Sequence, residues 1–386
     1  MNRNLALVAV SLFTWGAGEG LFIYFQTLYL QEWGADPLMI GSILGGMGIA
    51  MAVMQIPAGY LADRVGSRPI MWASWLLGTA AAWLMALANS LPLFIAGMLT
   101  YGLTSFVLAP MNSYVTAVRG RWSPGRALTV VSAAYNLGAV IGPTIGGALA
   151  NLHGLKTVYQ VAAVILVFST VIILFAQKPP IEVHPETETR NNVFRNGRFL
   201  TLAVITFITM FALYLPQPLS PNFMQNERGL DMQQIGLVGT IGSLGNVVIM
   251  FLLGHLSAPV AFLIGQPLVA LFALLMWRGT GLPWFALGYF FMAGYRLCRS
   301  MVLALARNFI HPAETGLAFG MLETANAVAV ILAPLVAGAL YQRVPVSVYT
   351  VALGLIGMAF AINLGVVPVL VRKPAPVAVK EELSEP

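Results

Sequence analysis

Residues 6–30 read ALVAVSLFTWGAGEGLFIYFQTLYL, with Glu19 as the one ionisable side chain in the run. The stretch is longer than the ~18 apolar residues that mark a membrane-crossing helix. In hydrocarbon a backbone finds hydrogen-bond partners only within its own helix or a closed barrel. The run is therefore read as a first transmembrane helix. Arg3 ahead of it looks like the charged start of a secretion signal. The run is too long for a signal core, however, and lacks a small-residue cleavage site, so an uncleaved span is expected.

Blocks of the same kind recur outward from this one. Twelve spans are expected, near 6–30, 38–61, 70–89, 92–116, 126–150, 156–177, 199–224, 233–256, 259–277, 283–306, 315–341 and 346–371. The composition agrees: of 386 residues 58% are apolar and 9% charged, against about 45–50% and about 25% in soluble domains. An ordinary soluble protein and a disordered chain are both excluded. An outer-membrane barrel does not fit, since its strands are about ten residues long and alternate in polarity. The fold class is thus an all-α polytopic membrane protein. Residues 1–177 are expected to form an N-terminal six-helix bundle and 199–371 a C-terminal one. Between them, 178–198 is a charged, proline-bearing linker, and 372–386 is a polar tail.

The scarce charges carry topology. Of the 20 Lys and Arg residues, 14 fall on one side if the N-terminus is cytoplasmic, among them Arg3, Arg64, Arg68, Arg119, Arg126 and Lys178. Only Lys156, Arg228, Arg278 and Arg343 fall on the other. Lys and Arg collect in cytoplasmic loops, so both termini are expected in the cytoplasm and the protein in the plasma membrane. The formal charge of +6 reflects this bias, and no nucleic-acid partner is expected.

The two halves also repeat. Shifted by 195, Glu32, Gly34, Asp36, Gly41 and Gly59 meet Glu227, Gly229, Asp231, Gly236 and Gly254. Shifted by 191, Pro92, Gly97, Pro143 and Gly147 meet Pro283, Gly288, Pro334 and Gly338. Parallel repeats joined by a central loop are a transporter architecture with its substrate site near the bilayer midplane.

Between spans two and three lies Gly59-Tyr-Leu61-Ala-Asp63-Arg64-Val-Gly66-Ser-Arg68. It resembles the signature loop of the major facilitator superfamily, with Ser67 in place of a basic residue. The resemblance covers the whole chain and implies a secondary transporter that works by alternating access. A gating role follows for Gly59, Asp63, Arg64, Gly66 and Arg68. Asp63 would latch onto the start of span eleven, where a helix dipole favours an anion; the bland alternative is that the loop only sets topology. Span five carries Gly138-x-x-x-Gly142-Pro143-x-x-Gly146-Gly147, which resembles the motif of the superfamily's drug:proton antiporter-like exporters. The alternative is plain helix packing, which small residues serve in membranes. One departure stands out. Proton-coupled exporters of the superfamily carry an arginine in span four, and here that stretch is Met98-Leu-Thr-Tyr101-Gly102.

Four ionisable residues fall inside spans: Glu19, Arg296, Arg299 and Glu323. Each costs at least about 2.5–3.5 kcal/mol at a helix centre, and such residues usually face a cavity and mark function. The superfamily resemblance implies that spans one, four, seven and ten line the cavity. Trp15, Glu19, Phe22 and Gln26 share one face of span one by three-and-four spacing. Tyr101 and Ser105 form a stripe on span four, Tyr289, Arg296 and Arg299 one on span ten, and Tyr214 and Gln217 lie on span seven beside Pro216, Pro218 and Pro221. Glu323, nearer the start of span eleven, reads as a gate or helix-start residue. Three readings stay open: Glu19 carries the driving proton, Arg296 and Arg299 bind an anionic substrate, or Glu19 pairs with Arg296 as structure alone. Cys298, two positions from Arg296, is expected near the cavity.

The sequence contains no nucleophile–base set, metal cluster or phosphate loop, so neither an enzyme nor a cofactor or metal is expected. The leading expectation is proton-coupled export of amphipathic or hydrophobic small molecules by a monomer in the bilayer. Carriage of an organic anion, lipid flipping and a non-transporting sensor are the alternatives.

Overall fold

The computed structural model describes residues 2–54, 57, 61, 64–178, 196–307, 310 and 315–371. Gly59 and Asp63 of the signature loop lie outside these residues, as do most of the linker and the tail. The described chain is helical. Among the described residues ten helices are long and apolar enough to cross a membrane. Two further expected spans appear as the apolar helix Pro37–Val53 and as the interrupted pair Leu282–Met292 and Gly294–Ala306.

Numbered by crossing, α1 is Arg3–Glu32, α2 Pro37–Val53, α3 Ser67–Ala86, α4 Leu91–Ala117, α5 Pro124–His153 and α6 Leu155–Leu174. In the second half α7 is Gly197–Tyr214 continued by Ser220–Asn226, and α8 is Met232–Leu253. Next come α9, Ala258–Arg278, and α10, the interrupted pair. Last are α11, Thr315–Arg343, and α12, Ser347–Val371.

The repeat has a local cause at the turns. Gly34 and Gly229, which match at the shift of 195, both have positive φ (85° and 69°), a conformation nearly closed to other residues. Two residues on, Asp36 and Asp231 each cap the next helix: Asp36 accepts from the Met39 N–H at 2.7 Å and Asp231 from the Gln234 N–H at 2.8 Å. A glycine to turn and an aspartate to cap satisfy backbone donors that would otherwise be orphaned.

Packing repeats as well. α1 lies against α5 and α6, as α7 lies against α11 and α12; α3 joins α4 and α6, as α9 joins α10 and α12. Buried polar groups staple each bundle. In the first, the Ser11 hydroxyl donates to the Ser169 carbonyl at 2.9 Å and the Trp75 indole to the Ser169 hydroxyl at 3.1 Å. In the second, the Asn363 amide donates to Thr209 at 2.8 Å and to Gln266 at 3.0 Å.

Among the described residues four crossings are broken. α1 passes through a 3-10 turn at Ile23–Phe25 and α4 through one at Thr104–Val107. α7 breaks between Tyr214 and Ser220, where Pro216 and Pro218 remove backbone donors. α10 breaks at Ala293. These are the first and fourth helices of each half. α5, by contrast, runs unbroken through Pro143.

The halves meet along two matched seams, α2 with α11 and α5 with α8. A Cβ on Gly41 would stand 2.2 Å from the Pro334 carbonyl oxygen, and one on Gly236 would stand 2.3 Å from that of Pro143. Likewise a Cβ on Gly338 would meet the Pro37 carbonyl at 2.5 Å, and one on Gly147 the Met232 carbonyl at 2.5 Å. Without side chains the backbones touch, which is how membrane helices associate when lipid offers no hydrophobic drive. Every one of these contacts lies towards the end of the bundle opposite the first and last described residues.

Candidate functional site

Glu19 is placed by a glycine crossing. Where α1 meets α5, a Cβ on Gly16 would stand 2.2 Å from the Tyr135 carbonyl oxygen. One on Gly138 would stand 2.1 Å from that of Phe13, and one on Gly142 2.5 Å from the Gly20 carbonyl carbon. Gly146 continues the seam against Leu21. The span-five motif thus divides its labour: Gly138, Gly142 and Gly146 seat α1, whereas Gly147 and Pro143 face α8. Pro143 also leaves the Ala139 carbonyl without its helical donor, and that oxygen faces Gly20.

This close approach brings Tyr135 to Glu19. The Tyr135 hydroxyl donates to Glu19 Oε2 at 3.0 Å. Trp15 and Tyr101 lie beside the same carboxylate, and the Arg296 guanidinium is near enough for its charge to act there. The Tyr101 hydroxyl is buried and directed at the same carboxylate. Aromatic rings enclose the site. Trp15 stacks on Tyr101 with centroids 6.2 Å apart and tilts against Trp75 at 5.3 Å. Phe22 meets Tyr101 edge-on at 5.5 Å. Sequence reasoning missed Tyr135, yet it lies three residues before Gly138, on the face that the motif turns to α1.

The other sequence-predicted residues divide into distinct groups. Phe22 and Tyr289 are fully buried; Phe22 packs on Tyr159 in the first bundle, and Tyr289 bonds Ser220 at 2.7 Å. Gln26 is buried past the break in α1, with its Nε2 unpartnered among the described residues. Ser105 sits in the α4 break and donates to the Met51 carbonyl at 3.3 Å. Tyr214 rests on Tyr295 at 5.4 Å, and Gln217 folds back onto the Leu213 carbonyl at 2.7 Å.

Arg299 pairs with Glu323, with Nη2 to Oε2 at 2.6 Å and side chains 45% and 38% exposed. Glu323 therefore sits on α11 as the partner of a cation on α10. Arg296 is exposed, and among the described residues it makes no hydrogen bond and no ion pair within 4.0 Å. Among the described residues no ion pair joins Glu19 to Arg296. Cys298 corrects the sequence expectation: its side chain is 0% exposed and its Sγ faces the Phe262 carbonyl at 3.3 Å. It points away from Arg296 into the α9 seam, because two helical positions are about 200° apart.

In the signature loop, Gly66 has φ 89° and heads α3, and the Arg68 guanidinium lies 3.9 Å from the Trp72 ring centroid. Arg64 is exposed. Among the described residues no three His, Cys, Asp or Glu side chains gather as a metal would require.

At the closed end a second polar group bridges the halves. Gln31 of α1 donates to Asn226 Oδ1 at 3.0 Å, and its Oε1 accepts from Asn226 at 2.9 Å and Asn222 at 2.7 Å. Asn222 also donates to the Thr27 carbonyl at 3.2 Å. Gln31 and Asn226, and Thr27 and Asn222, are 195 positions apart, the repeat shift itself. Residues that touch their own repeat images lie on the pseudo-two-fold axis. That shift was the signal available in the sequence. Deeper in, Tyr24 bonds Ser243 at 3.3 Å and Thr144 bonds Thr240 at 2.7 Å.

Comparisons with known proteins agree with this arrangement. The chain is 28% identical over 173 residues to the MFS-type transporter MJ1560 of Methanocaldococcus jannaschii, a match that spans 45% of each. It is 22% identical over 404 residues to the quinolone resistance protein NorA of Staphylococcus aureus (strain Mu50), covering 99% of this chain and 100% of NorA. Among solved structures, the nucleoside transporter NupG superposes with a TM-score of 0.77 at 13% identity, over 96% of this chain and 100% of that one. The family model of the Major Facilitator Superfamily matches residues 7–257 and 202–386. With twelve crossings, two repeated bundles and that match over nearly the whole length, the chain belongs to the major facilitator superfamily of membrane transporters.

Proposed function

We propose that the protein exports amphipathic or hydrophobic small molecules in exchange for protons, with Glu19 as the group that takes up and releases the proton. The carrying observation is the setting of Glu19. Its carboxylate is held by a neutral donor, Tyr135, and lies within the influence of a cation from the other half, Arg296. A carboxylate tied to an arginine stays ionised, whereas one held by a phenol is free to titrate. Rocking of the halves about the α2–α11 and α5–α8 seams changes how closely Arg296 approaches. The full-length likeness to a quinolone resistance protein supports export of drug-like compounds. Trp15, half-buried and backed by Tyr101 and Trp75, supplies aromatic surface for them. The termini face the cytoplasm in this reading, so the glycine seams between the halves and the Gln31 group lie at the external end.

A second reading has one observation in its favour. Arg296 is exposed and lacks a hydrogen-bonding partner among the described residues, as an anion anchor would be before its ligand arrives. Arg299 is already engaged with Glu323, so this anchor would be Arg296 alone.

Transport of a fluorescent amphipathic dye into proteoliposomes under an imposed pH gradient separates the two. Glu19→Gln is expected to abolish gradient-driven transport and to leave dye exchange without a gradient. Gradient-driven transport equal to that of the parent would overturn the role given to Glu19. Loss of both modes in Arg296→Ala, with gradient response kept in Glu19→Gln, would favour the anion carrier.

A further inference from the structure

We infer that Tyr135 is the positioning residue for Glu19 and keeps its carboxyl aimed in both protonation states. This rests on the reading of Glu19 as the proton carrier. Tyr135 is fixed at both ends. Its backbone carbonyl presses on Gly16, where a Cβ would stand 2.2 Å away, and its hydroxyl reaches Glu19 Oε2 at 3.0 Å. Gly16 and Glu19 are one helical turn apart, so Tyr135 brackets that turn of α1. Both residues belong to the first half, and the glycine seam between α1 and α5 moves with it. The bond therefore survives rocking of the halves.

A phenol suits this task because it both donates and accepts. To the ionised carboxylate Tyr135 donates its O–H. Once Glu19 is protonated, the carboxyl O–H donates to the Tyr135 oxygen, and the phenol hydrogen turns to another acceptor. Tyr101 supplies that acceptor: its hydroxyl oxygen is buried and neighbours both Glu19 and Tyr135. No proton leaves either phenol in this exchange. The groups facing the carboxyl are then Tyr135 from α5, Tyr101 from α4, Trp15 from α1 and Arg296 from α10. Arg296 is the charged one. An arginine or lysine at position 135 would hold Glu19 ionised, and a phenylalanine would leave its proton-bearing form unheld.

Infrared difference spectra of the full-length protein between acid and alkaline pH test this without any substrate. The parent is expected to show a protonated-carboxyl carbonyl band that disappears in Glu19→Gln. In Tyr135→Phe the band should persist and shift to higher wavenumber, because the acid has lost a hydrogen-bond partner. A band unmoved in a folded Tyr135→Phe overturns the role of Tyr135 and leaves the proton reading standing. A parent band that survives Glu19→Gln overturns the proton reading and this inference with it. Should Tyr135→Phe fail to fold, the parent with ring-labelled tyrosine decides the matter. A phenol C–O band must titrate together with the carboxyl band, and independent titration refutes the coupling.

Discussion

Replacing Gln31 by leucine should open the closed end. Gln31 makes three amide hydrogen bonds across the halves, to Asn222 and twice with Asn226, at 2.7–3.0 Å. Interhelical hydrogen bonds in membrane proteins average about 0.6 kcal/mol each, so together they hold the seal by about 2 kcal/mol. Leucine keeps the volume and removes all three. The closed form then loses about 2 kcal/mol against the form open at this end, a roughly 30-fold shift in the equilibrium between them. Spin labels at Glu32→Cys and Glu227→Cys report it. Both positions are exposed, one on each half, and they are repeat equivalents. The native thiol is removed as Cys298→Ser, whose hydroxyl can keep the bond to the Phe262 carbonyl. Pulsed distance measurement should show the short separation giving way to a longer one in Gln31→Leu. Unchanged distances in a variant that melts like its parent would refute the assignment of this amide group as the seal.

The remaining predictions concern packing and charge. Gly142→Ala places a Cβ 2.5 Å from the Gly20 carbonyl carbon, a backbone atom that cannot step aside. Overpacking of this kind costs about 1–3 kcal/mol, so the melting temperature should fall, whereas Gly357→Ala, with nothing within 4 Å, should leave it unchanged or raise it slightly. Gly41→Ala and Gly236→Ala strike equivalent proline carbonyls at 2.2 and 2.3 Å. Each should lengthen the Glu32–Glu227 label distance, and opposite effects would show that the two seams are not equivalent. Arg299→Ala breaks an ion pair whose members are 45% and 38% exposed. Such pairs are worth about 0–1 kcal/mol, so its melting temperature should barely move.

Much of the fold was legible because membrane burial writes itself into composition and period. Long apolar runs, the Gly34/Gly229 and Asp36/Asp231 matches and the Pro143/Pro334 match each have a local physical cause that one sequence displays. The breaks in α1 and α4 were not legible. Neither contains a proline where it breaks, and the 3-10 turns at Ile23–Phe25 and Thr104–Val107 arise from tertiary packing. Partners across helices were harder still. Face assignment grouped Glu19 with Phe22 and Gln26, yet the side chain that grips Glu19 comes from α5, and the arginine that pairs with Glu323 is Arg299. Periodicity along one helix ranks the residues on a face. It says nothing of which neighbour meets them.

The polar seal shows why an alternating machine closes with amides. An apolar plug on the axis would bury more surface and hold the end shut by several kcal/mol, since burying one large aliphatic side chain alone yields about 1.5–3 kcal/mol. The amide group gains about 2 kcal/mol from Gln31 and carries an opposing penalty at least as large, which the packed glycine seams must cover. Gln26 Nε2, Thr27 Oγ1 and Asn222 Oδ1 are all buried here without partners among the described residues, and an unmet buried polar atom costs about 1–3 kcal/mol. Water admitted by opening satisfies all three. The closed end is thereby held near balance, where the small differential affinities of a proton and a substrate for the two forms suffice to tip it. Removing one of those unmet groups should therefore lock the transporter rather than improve it. Thr27→Val deletes a buried hydroxyl that has no partner and keeps the shape. It should favour the closed end, shorten the mean Glu32–Glu227 label distance and slow turnover while raising the melting temperature. Faster turnover in Thr27→Val would show that closure, not opening, limits the cycle, and that the seal is not held near balance.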